Sequence, residues 1–156
     1  MKDLEISQDA KLSLGLWLRL MKCARTIERG MEGRLRRDYK QSMSRFDVLS
    51  QLDRSDEKWL SVGELASRLL SSKGNISGLL DRMLQEELIA RRQSPADRRS
   101  QQICISPKGR KLFAKMASDH AEWTHSVLGE LPYADRKKLE GLLDKLRVAV
   151  DTPGRA

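Results

Sequence analysis

Apolar residues recur every three or four positions from Gln8 to Lys40, where Leu16, Leu20, Cys23 and Ile27 run beside Trp17, Ala24, Met31 and Leu35 with no proline between them. This spacing predicts one long amphipathic helix over 8–40. In a chain of 156 residues such a helix carries more apolar stripe than one small domain covers, so the excess is expected to face a partner helix. Gly30 and Gly33 weaken its later turns. A second helix is predicted over 44–52, with Phe46, Val48, Leu49 and Leu52 inward, ending in the polar run 53–58. Ser61 followed by Glu64 is the reciprocal pair that satisfies orphan amides at a helix start, and Leu65, Ala66, Leu69 and Leu70 form the inner face of that third helix. After a break at Ser71 and Ser72, Ile76, Leu79, Leu80, Met83 and Leu84 repeat the helical period as far as Leu88. Two short helices so tightly joined read as a helix-turn-helix.

Beyond Leu88 the period changes to two. Ile89 to Gln93 can pair with the stretch from Ser100 to Ile105 across Ser94-Pro95-Ala96-Asp97, which predicts a β-hairpin. Ser106-Pro107 restarts helix as an N-cap and first-turn proline, and Phe113, Met116, His120, Trp123 and Val127 form its stripe until Pro132. Leu139, Leu142, Leu143 and Leu146 mark a last amphipathic helix, and 151–156 is expected to fray. The fold class predicted is mainly α with one hairpin.

Charge sharpens this picture. The chain has 30 Lys+Arg against 22 Asp+Glu, a formal net charge of +8, and that excess is concentrated on the hairpin. From Arg91 to Lys111 the bases are Arg91, Arg92, Arg98, Arg99, Lys108, Arg110 and Lys111, with Asp97 the one acid. Beside a helix-turn-helix, such a tip is suited to DNA, whose phosphates form a dense line of charge and whose minor groove attracts arginine. A solvated basic loop is the alternative reading. On the second helix of the pair, Gly74, Ser77, Gly78, Asp81 and Gln85 project opposite Ile76, Leu80 and Met83. Glycine inside a helix costs about 1 kcal/mol relative to alanine, so two on the outer face call for a reason, and close approach to a groove wall supplies one. Lys73, Asn75 and Ser77 add a charge, an amide and a hydroxyl able to reach phosphates or base edges, while Ser72 is a plain N-cap candidate.

These residues resemble the MarR family of winged helix-turn-helix regulators. The similarity runs through Glu64-Leu65-Ala66, the stretch from Gly74 to Met83, Leu88-Ile89-Ala90-Arg91, Pro95-Ala96-Asp97-Arg98-Arg99 and Ile105-Ser106-Pro107-Lys108-Gly109. The resemblance implies one domain over 1–156, with dimerisation helices at 8–40 and 107–150 and a winged helix-turn-helix at 44–106 whose wing spans 89–106. It implies a homodimer on double-stranded DNA at a palindromic operator, acting as a repressor released by a small-molecule effector of phenolic or acyl-coenzyme A type. It places Ser72, Lys73, Gly74, Asn75, Ser77 and Gly78 at the DNA, with Arg98 and Arg99 as wing contacts and Asp97 ion-paired to orient an arginine. Glu87 departs from the family, which usually has a glycine there to end the recognition helix.

Other chemistry is thin. His120 and His125 are five apart and fall on different sides of one helix, a poor metal spacing, and His120 reads as a partly buried core histidine. No nucleophile elbow, phosphate loop or dinucleotide fingerprint appears, so no catalytic residue, metal or cofactor is expected. Cys23 and Cys104 lie far apart and read as reduced thiols. Cys23 shares a face with Leu16, Leu20 and Ile27, an apolar setting expected to keep it packed and unreactive, although redox sensing through Cys23 is an alternative. Trp17, Met21 and Arg25 lie one turn apart along the first helix and are candidate ligand contacts, with packing an equal explanation for the first two. No stretch approaches the apolar length of a membrane span, and a cytoplasmic protein is expected. A helical protein-interaction adaptor with a basic hairpin, or an architectural DNA-binding protein without sequence preference, are the competing readings.

Overall fold

The computed structural model describes residues 6–69, 73–97 and 99–151. Helix α1 spans Gln8–Arg34, opened by Ser7 Oγ accepting the Ala10 N–H at 3.2 Å. It runs on into a π-helical turn, Leu35–Tyr39, that closes on Lys40 with φ 57°. The helix expected over 8–40 is therefore continuous, with its pitch changed in the last turn. Only its end is buried, at Met31 and Leu35, whereas Leu12, Leu16, Trp17 and Leu20 are 40–61% exposed. Cys23 is exposed with them, which corrects the expectation of a packed thiol: the stripe it shares continues past the body that would cover it.

Helix α2 (Met43–Asp53) is fixed at both ends by charge. Glu32 Oε2 accepts the Met43 N–H at 2.6 Å, and this hydrogen bond, ahead of its pairing with Arg36, holds the Glu32 carboxyl below its ordinary range. Arg110 pairs with Asp53 at the other end. Between them Val48 and Leu49 are fully buried, and the Phe46 ring lies 5.4 Å from that of Phe113 on α5 (Pro107–Leu128).

A short strand, β1 (Leu60–Ser61), precedes α3 (Val62–Arg68). The predicted capping box is present, since Ser61 Oγ accepts the Glu64 N–H at 3.1 Å and Glu64 Oε2 accepts the Ser61 N–H at 2.9 Å. Helix α4 (Lys73–Gln85) buries Ile76, Leu80 and Met83 against this core. The hairpin consists of β2 (Ile89–Gln93) and β3 (Gln101–Ile105), paired antiparallel from Ile89 opposite Ile105 to Gln93 opposite Gln101. β1 adds to the far side of β3, Leu60 opposite Ile103, giving the order β1-β3-β2. That third strand is absent from the sequence reading; two residues are too few to establish an alternating pattern.

The turn from α4 to β2 is the junction of the fold. Arg45 forms a two-pronged pair with Glu86 at 2.6 and 2.8 Å, and this hydrogen bonding holds the Glu86 carboxyl below its usual range. Glu87 stands at φ 59°, so the left-handed residue that ends the helix is a glutamate where the resemblance read from the sequence implies glycine. Non-glycine residues in this region carry a strain of about 1 kcal/mol. The contact of Glu87 with Lys108, 3.6 Å and open to solvent on both sides, returns little of it. Glu87→Gly is expected to raise stability by about 1 kcal/mol, read as an upward shift of the urea midpoint with an unchanged slope.

The chain divides into two compact units, Met1–Met116 and Ala117–Ala156. The second contains the end of α5 and all of α6 (Tyr133–Asp151). Its apolar stripe, Leu139, Leu142, Leu143 and Leu146, is 41–53% exposed. His120 is half-buried with Nδ1 3.5 Å from Thr124 Oγ1, and His125 is exposed. Among the described residues no helix is long and apolar enough to cross a membrane.

Candidate nucleic-acid interface

The outer face of α4 carries Gly74, Ser77, Gly78, Asp81 and Gln85, all exposed, as the helical projection requires. A Cβ built on Gly74 would meet nothing within 4 Å, and one on Gly78 only Arg82 Nη1 at 3.9 Å. The chain's own packing therefore does not demand glycine at either place. Both lie on the same face as Ser77, which brings three of the predicted contacts together. Ser72 lies outside the described residues, as do the side chains of Lys73 and Asn75.

At the tip of the hairpin the loop is held by its own polar groups. Asp97 Oδ1 accepts the Arg99 N–H at 2.9 Å, the Asp97 carbonyl accepts the Ser100 N–H at 2.9 Å, and the Ser100 carbonyl accepts the Ser94 N–H at 2.8 Å. Asp97 thus supports the tip through the main chain of Arg99; Arg98, the other arginine of the expected tip, lies outside the described residues. Arg99 is exposed and lines a groove of about 310 Å³ together with Ser77, Asp81, Arg91 and Gln101. Recognition-helix and wing candidates therefore flank one groove.

The basic run, read in the sequence as one charged patch, is divided by the fold. Arg91 turns inward to Asp81, Nη2 to Oδ1 2.7 Å. Arg92 donates from Nε to Gln102 Oε1 at 2.9 Å, with its guanidinium 4.3 Å from the centre of the Trp59 ring. Lys108 Nζ donates to the Glu86 carbonyl at 2.8 Å, and Arg110 meets Asp53. Trp59 and the pairing of Asp81 with Arg91 are what sequence reasoning missed. A lone tryptophan beside Leu60 after a polar run was a usable signal for Trp59, whereas the Asp81 pairing depends on strand register. On α1, Trp17 is 56% exposed, Met21 half-buried and Arg25 exposed.

Comparison with known proteins places this arrangement. Residues 42–100 match the model of the MarR family. The HTH-type transcriptional regulator BilQ of Clostridium symbiosum is 34% identical over 83 residues, 53% of this chain and 58% of that protein. The chain spans about half to two thirds of the length of the curated relatives it matches. Among solved structures, the MarR family regulator Sco3205 of Streptomyces coelicolor, in complex with DNA, superposes with a TM-score of 0.79 at 19% identity, covering 95% of this chain and 91% of that one. BpsR of Bordetella bronchiseptica, whose DNA binding is regulated by 6-hydroxynicotinic acid, gives a TM-score of 0.67 at 24% identity, covering 83% and 98%. The fold is that of the MarR winged-helix regulators, and the resemblance read from the sequence is borne out.

Proposed function

We propose that this chain is a sequence-specific, DNA-binding transcriptional regulator that binds a palindromic operator as a homodimer, represses, and is released by a small-molecule effector. The observation that carries the reading is the pair of exposed, sterically unconstrained glycines on α4 beside a basic hairpin. Lys73, Gly74, Asn75, Ser77 and Gly78 then meet the major groove, with Ser72 at the helix start, and Arg98 and Arg99 enter the adjacent minor groove with Asp97 shaping the tip. Two such helices must lie about one turn of DNA apart, roughly 34 Å. An effector that stabilises another spacing lowers operator affinity, and by reciprocity DNA lowers the affinity for the effector. Trp17, Met21 and Arg25 are the proposed effector contacts; the regulation of BpsR by 6-hydroxynicotinic acid supports the class of mechanism.

Selection of duplex fragments by the purified protein, followed by titration at several salt concentrations, tests the reading. It predicts enrichment of a palindromic site and an affinity that falls steeply with salt. Salt-sensitive binding with no preferred sequence would favour an architectural protein, and no duplex binding at all would favour the adaptor. Light scattering is expected to give twice the 17.8 kDa chain mass at micromolar concentration, because the stripes of α1 and α6 are exposed on the single chain. A monomer would overturn the two-half-site mechanism.

A further inference from the structure

An acidic residue on a helix face meant for phosphates needs explaining as much as a glycine does, and Asp81 is on that face, its side chain 56% exposed. Its partner Arg91 lies on β2 opposite Ile103, two residues from the buried Ile89 and thus on the inward side of the hairpin. The Arg91 side chain is only 24% exposed, and its Nε is buried with no hydrogen-bond partner. Between two residues that line the groove, the 2.7 Å contact from Arg91 Nη2 to Asp81 Oδ1 ties the hairpin to α4. Among the described residues Asp81 is the carboxylate that meets this largely covered arginine, so removing it leaves a charge with reduced access to water.

We infer that Asp81 is a positioning residue for DNA selection: by anchoring Arg91 it fixes the separation between the wing and α4, so that both reach their grooves at once. This inference rests on the DNA-binding reading. It opposes what charge alone dictates. Removing an acid from a phosphate-facing surface should tighten binding to every duplex, whereas removing an anchor should weaken binding selectively where helix and wing must engage together.

The test compares the full-length protein with Asp81→Asn and Asp81→Glu on the selected operator and on a non-operator duplex of equal length, with thermal midpoints measured alongside. Asp81→Asn is expected to lower operator affinity about tenfold while leaving non-operator binding unchanged or tighter, and Asp81→Glu to restore most of the loss. Tightening on both duplexes by Asp81→Asn would overturn the inference and leave the DNA-binding reading intact. So would an equal loss on both with a lowered thermal midpoint, the mark of a purely structural residue. A wild-type protein without operator preference would overturn the DNA-binding reading itself, and this inference with it.

Discussion

Gly109→Ala is expected to be the most destabilising single-methyl addition in the unit Met1–Met116, at about 3 kcal/mol. A Cβ at Gly109 would stand 2.0 Å from the Leu88 carbonyl oxygen, 2.9 Å from its carbon and 3.2 Å from Ile105 Cγ1. The clash is with backbone, and that backbone is already committed. The Leu88 carbonyl accepts the Ser106 N–H at 3.1 Å, and the Glu87 carbonyl accepts from Ser106 Oγ at 2.6 Å. Ser106 Oγ also accepts the Gly109 N–H at 2.9 Å, closing the first turn of α5. Relief therefore requires α5 to lift off the turn that ends α4, breaking those bonds and opening the Ile105 contact. For a chain of this size the loss corresponds to a fall of about 10 °C in thermal midpoint, measurable by circular dichroism. An unchanged midpoint would mean that α5 does not approach Leu88 this closely.

The same position shows how much the sequence makes legible. Ser106-Pro107 marks a helix start by local chemistry, and the hairpin, the capping box and the buried faces of α2 and α4 follow from period and caps, because these are properties of neighbouring residues. Why Gly109 must be glycine is a fact about Leu88, a contact between elements that no periodicity contains. Charge is read least well. Arg91, Arg92, Lys108 and Arg110 belong to one basic run, yet strand alternation and the packing of α5 send them to Asp81, Trp59 with Gln102, Glu86 and Asp53. A linear count of bases overstates the charge a wing can present. The α1 stripe fails in the opposite direction, since its period is plain but a period does not say what covers it, and Cys23 is exposed as a consequence.

Gly78→Ala and Gly74→Ala are expected to change stability and DNA affinity in opposite directions. Gly78 lies within α4, where alanine is favoured by about 1 kcal/mol, and its new methyl meets only the end of Arg82, at ordinary contact distance. The variant should melt higher than the parent. Gly74, in the first turn, should gain less. Against DNA the same methyl is a cost, because in the proposed complex these positions are where the helix backbone comes nearest the groove wall, and overpacking a close contact costs about 1–3 kcal/mol. A loss of about 1.4 kcal/mol in each half-site lowers affinity about tenfold per subunit, or roughly a hundredfold for the dimer. Non-operator binding, carried by phosphate contacts of the basic side chains, should fall much less. A fold defect cannot mimic this pattern, since the weakened binder is the more stable protein. If Gly78→Ala and Gly74→Ala both melt higher and still bind the operator as the parent does, the outer face of α4 does not enter a groove closely, and its glycines no longer support the proposed function.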